Sequence, residues 1–216
     1  MGSSTKKIQK KIQKIMKEMG HDTPTIDNNI TTIFNESIKL RKNKSFFTND
    51  GFGNAIAGGV SIIGSISSGK MPKILEEIEL LDKASNKELA TQEILNSILD
   101  SLEQDNKKFE NELLLRAFKI TMSELLLNKD LSICKFIELL VKKCMYLLLI
   151  EDTNEASLEE FGFIQTPKIQ EKLEERSNYV VDKYLMDDII KYSKKEIEFA
   201  VLVNSITNLK KSIANE

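Results

Sequence analysis

VSIIGSISSGK, residues 60–70, decides the fold class. Read as a strand running into a loop, it is a phosphate-binding pattern, with Gly64, Gly69 and Lys70 at the spacing of G-x-x-x-x-G-K. That reading makes the chain an α/β nucleotide binder, with residues 60–63 as the entering strand. Three features oppose it. Met71 stands where a Ser or Thr hydroxyl holds magnesium. Pro72 removes a backbone N–H from the helix turn that should face the phosphate. The rest of the chain shows no sustained period-two alternation from which further strands could be built. Only MYLLLIED, residues 145–152, resembles a second nucleotide-fold strand, an apolar run ending in acids.

Read as a helix, the same stretch gives every residue a place. Ile56, Val60 and Ile63 recur at i, i+4 and i+7, and Ile62 and Ile66 broaden the apolar face. Gly53, Ala57, Ser61 and Ser65 fall four apart and form a stripe of small residues, which lets another backbone approach closely. Gly69 then stops the helix and Pro72 starts the next one. The expectation is a closely packed Gly/Ser-rich helix over residues 54–68.

Outward from this helix the pattern stays helical. Residues 5–19 carry a stripe of Ile8, Ile12, Ile15, Met16 and Met19 against Lys6, Lys7, Lys10, Lys11, Lys14 and Lys17. Thr23-Pro24 opens a second helix that runs out by Lys44, and SFFTNDGFG (45–53) reads as a turn-rich loop. The helix from Pro72 turns Ile74, Leu75, Ile78 and Leu81 inward. Residues 86–128 form one bent helix or two, capped by Ser85 and with Leu89, Ile94, Ile98 and Leu102 inward. With Asp130 as its N-cap, the run 131–150 is apolar on most faces and belongs at the centre of a bundle. Ser157 and Glu160 suggest a capping box for a further short turn. Thr166-Pro167 opens a long final helical region to 214, with a break near Asp187 or Ser193. The fold class expected is all-α: a bundle of seven or eight helices in one domain over residues 1–216, with the lysine-rich first helix peripheral.

Bulk composition excludes several functions. Charged residues make up 30% and hydrophobic residues 41% of 216, which suits a globular chain. The net charge of -2 gives no global attraction to nucleic acid, and three Arg and no Trp argue against sequence-specific reading of bases. Charge is uneven, however. Residues 1–44 hold ten Lys or Arg against four acids, and 151–175 hold eight acids against two Lys. Cys134 and Cys144 on one helix are about 15 Å apart at 1.5 Å per residue, too far for a disulfide. Free thiols of this kind suit a reducing cytoplasm, and burial as small apolar residues is the reading for both. No secretory signal is visible, and the least polar run, residues 54–69, is shorter than the roughly 20 residues of a membrane span.

The single histidine, His21, falls in a linker, so a Cys-His zinc site, an H-E-x-x-H motif and a Ser-His-Asp triad all lack partners. The acids at Glu76, Glu77 and Glu79, at Glu151, Asp152 and Glu155, and at Glu171, Glu174 and Glu175 sit where helices need solvated faces. A calcium loop over residues 82–93 fails because Lys87 occupies the position that requires Gly. No catalytic residue, metal site or cofactor is expected. The function expected is that of a non-catalytic helical binding or regulatory protein acting through protein–protein contacts. The alternative is a membrane-active toxin or defence effector. It would insert residues 54–68 while the six lysines of the first helix sit on an anionic membrane surface. A degenerate nucleotide site at Gly64, Gly69 and Lys70 is the third reading. Homo-oligomerisation through the terminal helices is compatible with the pattern.

Overall fold

The structure, a computed structural model, describes residues 3–18, 23–104, 109, 111–161 and 167–209. Gly20, His21, Thr166 and the residues beyond Leu209 lie outside that description, as do the side chains of Lys6 and Lys17. The described residues are mostly helical, with no strand among them. They form eleven α-helices and one 3-10 turn rather than seven or eight helices. By their internal contacts they divide into two compact units, one of residues 1–49 and 142–216 and the other of residues 50–141.

In the first unit, α1 (Ser3–Glu18) buries Ile12 and Ile15 and packs on α2 (Thr23–Ser37), which buries Ile30, Ile33 and Phe34. The second helix ends at Ser37 instead of running to Lys44, and a short break precedes α3 (Arg41–Thr48). The expected loop is thus largely helix. Phe46 and Phe47 are buried on α3 and meet edge to face at 5.2 Å, so the phenylalanines of this stretch serve a packed helical turn. The C-terminal region is three helices: α9 (Pro167–Tyr184), α10 (Met186–Ser193) and α11 (Phe199–Thr207). The first packs on α2 and the last on α3. The break after Ser193 is closed by Lys195 at φ 62, where the Glu196 N–H reaches the Lys191 carbonyl at 2.8 Å and the Lys195 N–H reaches Tyr192 at 2.9 Å. This is a Schellman ending with lysine in the position that glycine fills at least cost.

The second unit contains α4 (Asp50–Ser67), α5 (Pro72–Leu80), a 3-10 turn (Leu81–Lys83), α6 (Lys87–Gln104) and α7 (Glu112–Asn128). The long helix α8 (Ile133–Phe161) gives its residues 133–141 to this unit and the remainder to the first. It continues through Ser157 and Glu160, so no separate helical turn begins there. Helix starts are set by short polar side chains. Asn86 Oδ1 accepts from the Leu89 N–H at 3.1 Å, Asn111 Oδ1 from Leu114 at 3.0 Å, and Ser132 Oγ from Lys135 at 3.1 Å. The caps at 86 and 132 replace the expected Ser85 and Asp130.

The stretch that decides the fold class is helix up to Ser67. No strand enters Gly64. Gly69 has φ 70 and closes a Schellman motif, its N–H on the Ile66 carbonyl at 3.0 Å and the Lys70 N–H on Ser65 at 2.9 Å. Residues 145–152 are likewise helix. The expected apolar residues Ile56, Ile62, Ile63 and Ile66 of α4 are buried and Val60 is half-buried, but the close-packed small residues are not the expected ones. Phe52, Ala55, Ile56, Gly58, Gly59, Ile62, Ile63 and Ile66 are buried, while Ala57 and Ser61 are exposed and Gly53 and Ser65 half-buried. Positions 52, 56, 59, 63 and 66 form the 3.6-period stripe, with Gly59 at its middle. There the close approach occurs. A methyl on Gly59 would lie 2.0 Å from Cζ of Phe136, whose ring packs edge to face on Phe118 at 5.8 Å.

Candidate functional site

A concave surface of the second unit lies between α5 and α6. Pro72 supplies the fixed φ of a first helical turn, and Ile74 and Ile78 bury one side of α5. The chain then tightens into the 3-10 turn and re-enters helix at Lys87. The trough left between the two helices has a volume of about 410 Å³. Leu81 and Ile94, both buried, form its floor together with half-buried Ala84 and Ala90. Glu77 and Glu93 stand at its rim with Lys83, and Leu80 projects at its edge with 55% of its surface exposed. Leu89, at the start of α6, is 58% exposed.

The turn that closes this trough is pinned by charge. Asp82 accepts hydrogen bonds from Lys129 and Lys87, and these two ammonium groups hold its carboxyl down to about 2. Lys129 itself sits in the left-handed region, φ 54, at the end of α7. A second trough, about 310 Å³, runs along the other flank of α6 between Leu99, Phe109 and Leu115, with Asp100, Glu103 and Lys119 around it. An acidic α6 therefore stands as a ridge between two partly apolar troughs. Such surfaces suit the apolar face of another helix. No cluster of three metal-ligating side chains occurs among the described residues.

Buried polar groups gather in the first unit. Asp152, 4% exposed, accepts from Ser37 Oγ and from Asn43 Nδ2 at 2.7 Å, and Lys42 Nζ lies 2.7 Å from its other oxygen. Asn43 Nδ2 also reaches the Ser37 carbonyl at 3.0 Å. Asp152 was expected on a solvated face and is instead inside. The group adjoins an apolar cavity of only about 30 Å³, lined by Phe34, Phe47, Leu148 and Ile206 among others. A cavity of that size holds about one or two waters. With no histidine beside Ser37 among the described residues, the chemistry available is that of a latch holding the end of α2, the start of α3 and α8 in register.

The residues singled out from sequence are dispersed. Lys7, Lys10, Lys11 and Lys14 lie along α1; Lys11 donates to Glu36 Oε1 at 2.9 Å. Burial pushes the Glu36 carboxyl up, but hydrogen bonds from Lys39 and Lys11 outweigh it and hold the group below its ordinary value. Gly53, Ala57, Ser61 and Ser65 line the outer flank of α4, and Gly64 has open space beside it. Cys144 is buried, and burial drives its thiol upward; Cys134 is half-buried, and both cysteines are free. The trough beside α5 was missed. Its one signal was the five-residue step from Leu89 to Ile94, which no helical face accommodates; the buried stripe runs through Thr91, Ile94, Leu95, Ile98 and Leu102 instead.

No family model matches the chain, and no curated protein or solved structure shows significant similarity to it.

Proposed function

We propose that the protein is a non-catalytic helical binding or regulatory protein that works through protein–protein contacts, built as a bundle around an apolar α8. One observation carries the reading: the 410 Å³ trough between α5 and α6, apolar in its floor, with Leu80 in its lining left more than half exposed. A leucine held in water at an apolar depression is what a helix-binding surface presents before its partner arrives.

The alternative, in which α1 and α4 engage an anionic membrane, rests on the exposed lysines of α1. No described helix is long and apolar enough to cross a membrane, so this alternative requires surface association or the release of α4 from its packing. Site-specific photo-crosslinking in the native cell separates the two. A photoreactive residue is placed in turn at Leu80, Leu89, Ser61, Tyr179 and Val201. A single discrete protein adduct supports the binding reading. No adduct at any position, together with co-sedimentation on anionic vesicles, overturns it in favour of the membrane.

A further inference from the structure

We infer that the trough between α5 and α6 takes a short, basic amphipathic helix, two to three turns long, with leucine-like side chains on one face and Lys or Arg flanking them. This rests on the protein-binding reading and specifies its partner.

Length comes from the geometry. Helix α5 has nine residues, which at 1.5 Å each makes a wall of about 13 Å, or two and a half turns. The apolar requirement comes from Leu81 and Ile94 in the floor and Leu80 at the edge. Ala84 and Ala90 are the small residues that leave room for an incoming side chain.

Charge selects the class. Residues 72–104 contain eight acids and three lysines. Lys87 is bound to Asp82 at 3.0 Å, and Lys129 pairs with the same carboxylate, so apart from that pair the stretch holds seven acids and two lysines. Glu77 and Glu93 flank the trough from its two walls, with Lys83 as the single cation among the described lining residues. A partner carrying acids beside its apolar stripe would meet like charge on both rims, whereas Lys or Arg there would meet opposite charge. The same rims oppose an anionic lipid surface. Electrostatic matching of this kind raises association rate and rejects wrong partners, and it weakens with salt.

The test uses the full chain and two synthetic 11-residue helical peptides with the same leucine stripe, one flanked by Lys and the other by Glu. Fluorescence anisotropy at low salt should show the Lys peptide binding at least tenfold more tightly than the Glu peptide. Ala90→Trp fills the trough without changing charge and should weaken the Lys peptide at least tenfold. Leu80→Ser, at an exposed position that folding does not depend on, should weaken it at least threefold. Joint Glu77→Lys and Glu93→Lys should reverse the peptide preference. Glu171→Lys, an exposed charge change in the first unit, should leave binding within twofold. Equal binding of the two peptides overturns the inference, as does insensitivity to both Ala90→Trp and Leu80→Ser, or a Glu171→Lys effect as large as that at the trough. Binding to anionic vesicles that is lost with Leu80→Ser also overturns it, assigning the surface to lipid. If the peptides fail but a cellular adduct still forms at any of the five positions, only this inference falls; if no adduct forms anywhere and the chain co-sediments with anionic vesicles, the protein-binding reading falls with it.

Discussion

Gly59→Ala tests the packing of the second unit where α4 meets the Phe136 ring. In an ordinary helix interior the change would stabilise by about 1 kcal/mol, because alanine is the better helix former. Here the added methyl meets the Phe136 ring, with atoms at 2.0, 2.4 and 2.6 Å. The ring would have to retreat by about 1.4 Å to reach ordinary contact at 3.4 Å. Phe136 is fully buried and Phe118, also fully buried, packs on it, so the retreat displaces a second aromatic ring. Overpacking of this kind costs about 1–3 kcal/mol, and a displacement this large belongs at the upper end. The net effect expected is destabilisation by about 2 kcal/mol. At about 2–4 °C per kcal/mol for a chain of this size, Tm should fall by about 4–8 °C. Gly64→Ala, on the same helix with nothing within 4 Å, should instead gain about 0.5–1 kcal/mol. Urea denaturation of both variants supplies the comparison. Adding Phe136→Leu to Gly59→Ala removes the ring tip and should recover at least about 1 kcal/mol relative to additivity. Gly59→Ala as stable as Gly64→Ala, or strict additivity with Phe136→Leu, would refute the close approach.

Lys195→Gly should stabilise the chain by about 1 kcal/mol, because Lys195 is held at φ 62 where a Cβ is strained; Lys195→Ala should give no such gain in the same thermal melts. Asp152→Ala should cost about 2–3 kcal/mol in urea denaturation, since it strips buried Ser37 and Asn43 of their shared acceptor. The Glu36 carboxyl is lower in the folded chain than its ordinary 4.5. Its pairing with Lys39 and Lys11 therefore adds stability above that value, and the contribution is lost as pH falls through the lower folded value. Glu36→Gln should flatten the stability profile across that acid window and leave its slope near neutrality unchanged, as followed by urea midpoints at successive pH values.

The helical class was legible because its signals are local. Pro72 and Pro167 each open a helix, Gly69 ends one, and none of these depends on what packs nearby. Helix number was less legible, because the break that creates α3 has no glycine or proline to mark it. The chain leaves helix at Ser37 where Ser37 and Asn43 turn inward to Asp152, more than 100 residues away in sequence. The breaks at Lys129 and after Ser193 were anticipated, but the left-handed lysines that close them, at 129 and 195, give no local signal. The close-packed small residues of α4 were misread for a related reason. Two stripes of small residues interleave there, and the buried one is recognised only by counting Gly59 as a core position among Phe52, Ile56, Ile63 and Ile66. A glycine adds nothing to a hydrophobic pattern, so this close approach left little trace in the sequence. The trough beside α5 was hidden likewise, since Leu80 and Leu89 look like core residues until their neighbours are known.

The division of the chain has a consequence for how the molecule is made. The second unit is one unbroken stretch, residues 50–141, whereas the first joins residues 1–49 to residues 142–216. As the chain leaves the ribosome, the first helices must wait for their partners while some ninety residues are added, roughly five to twenty seconds at ordinary rates of elongation. During that interval Ile30, Ile33, Phe34, Phe46 and Phe47 have no mature core to enter. The inserted unit, complete within its own sequence, can condense while the delayed one still lacks its second part.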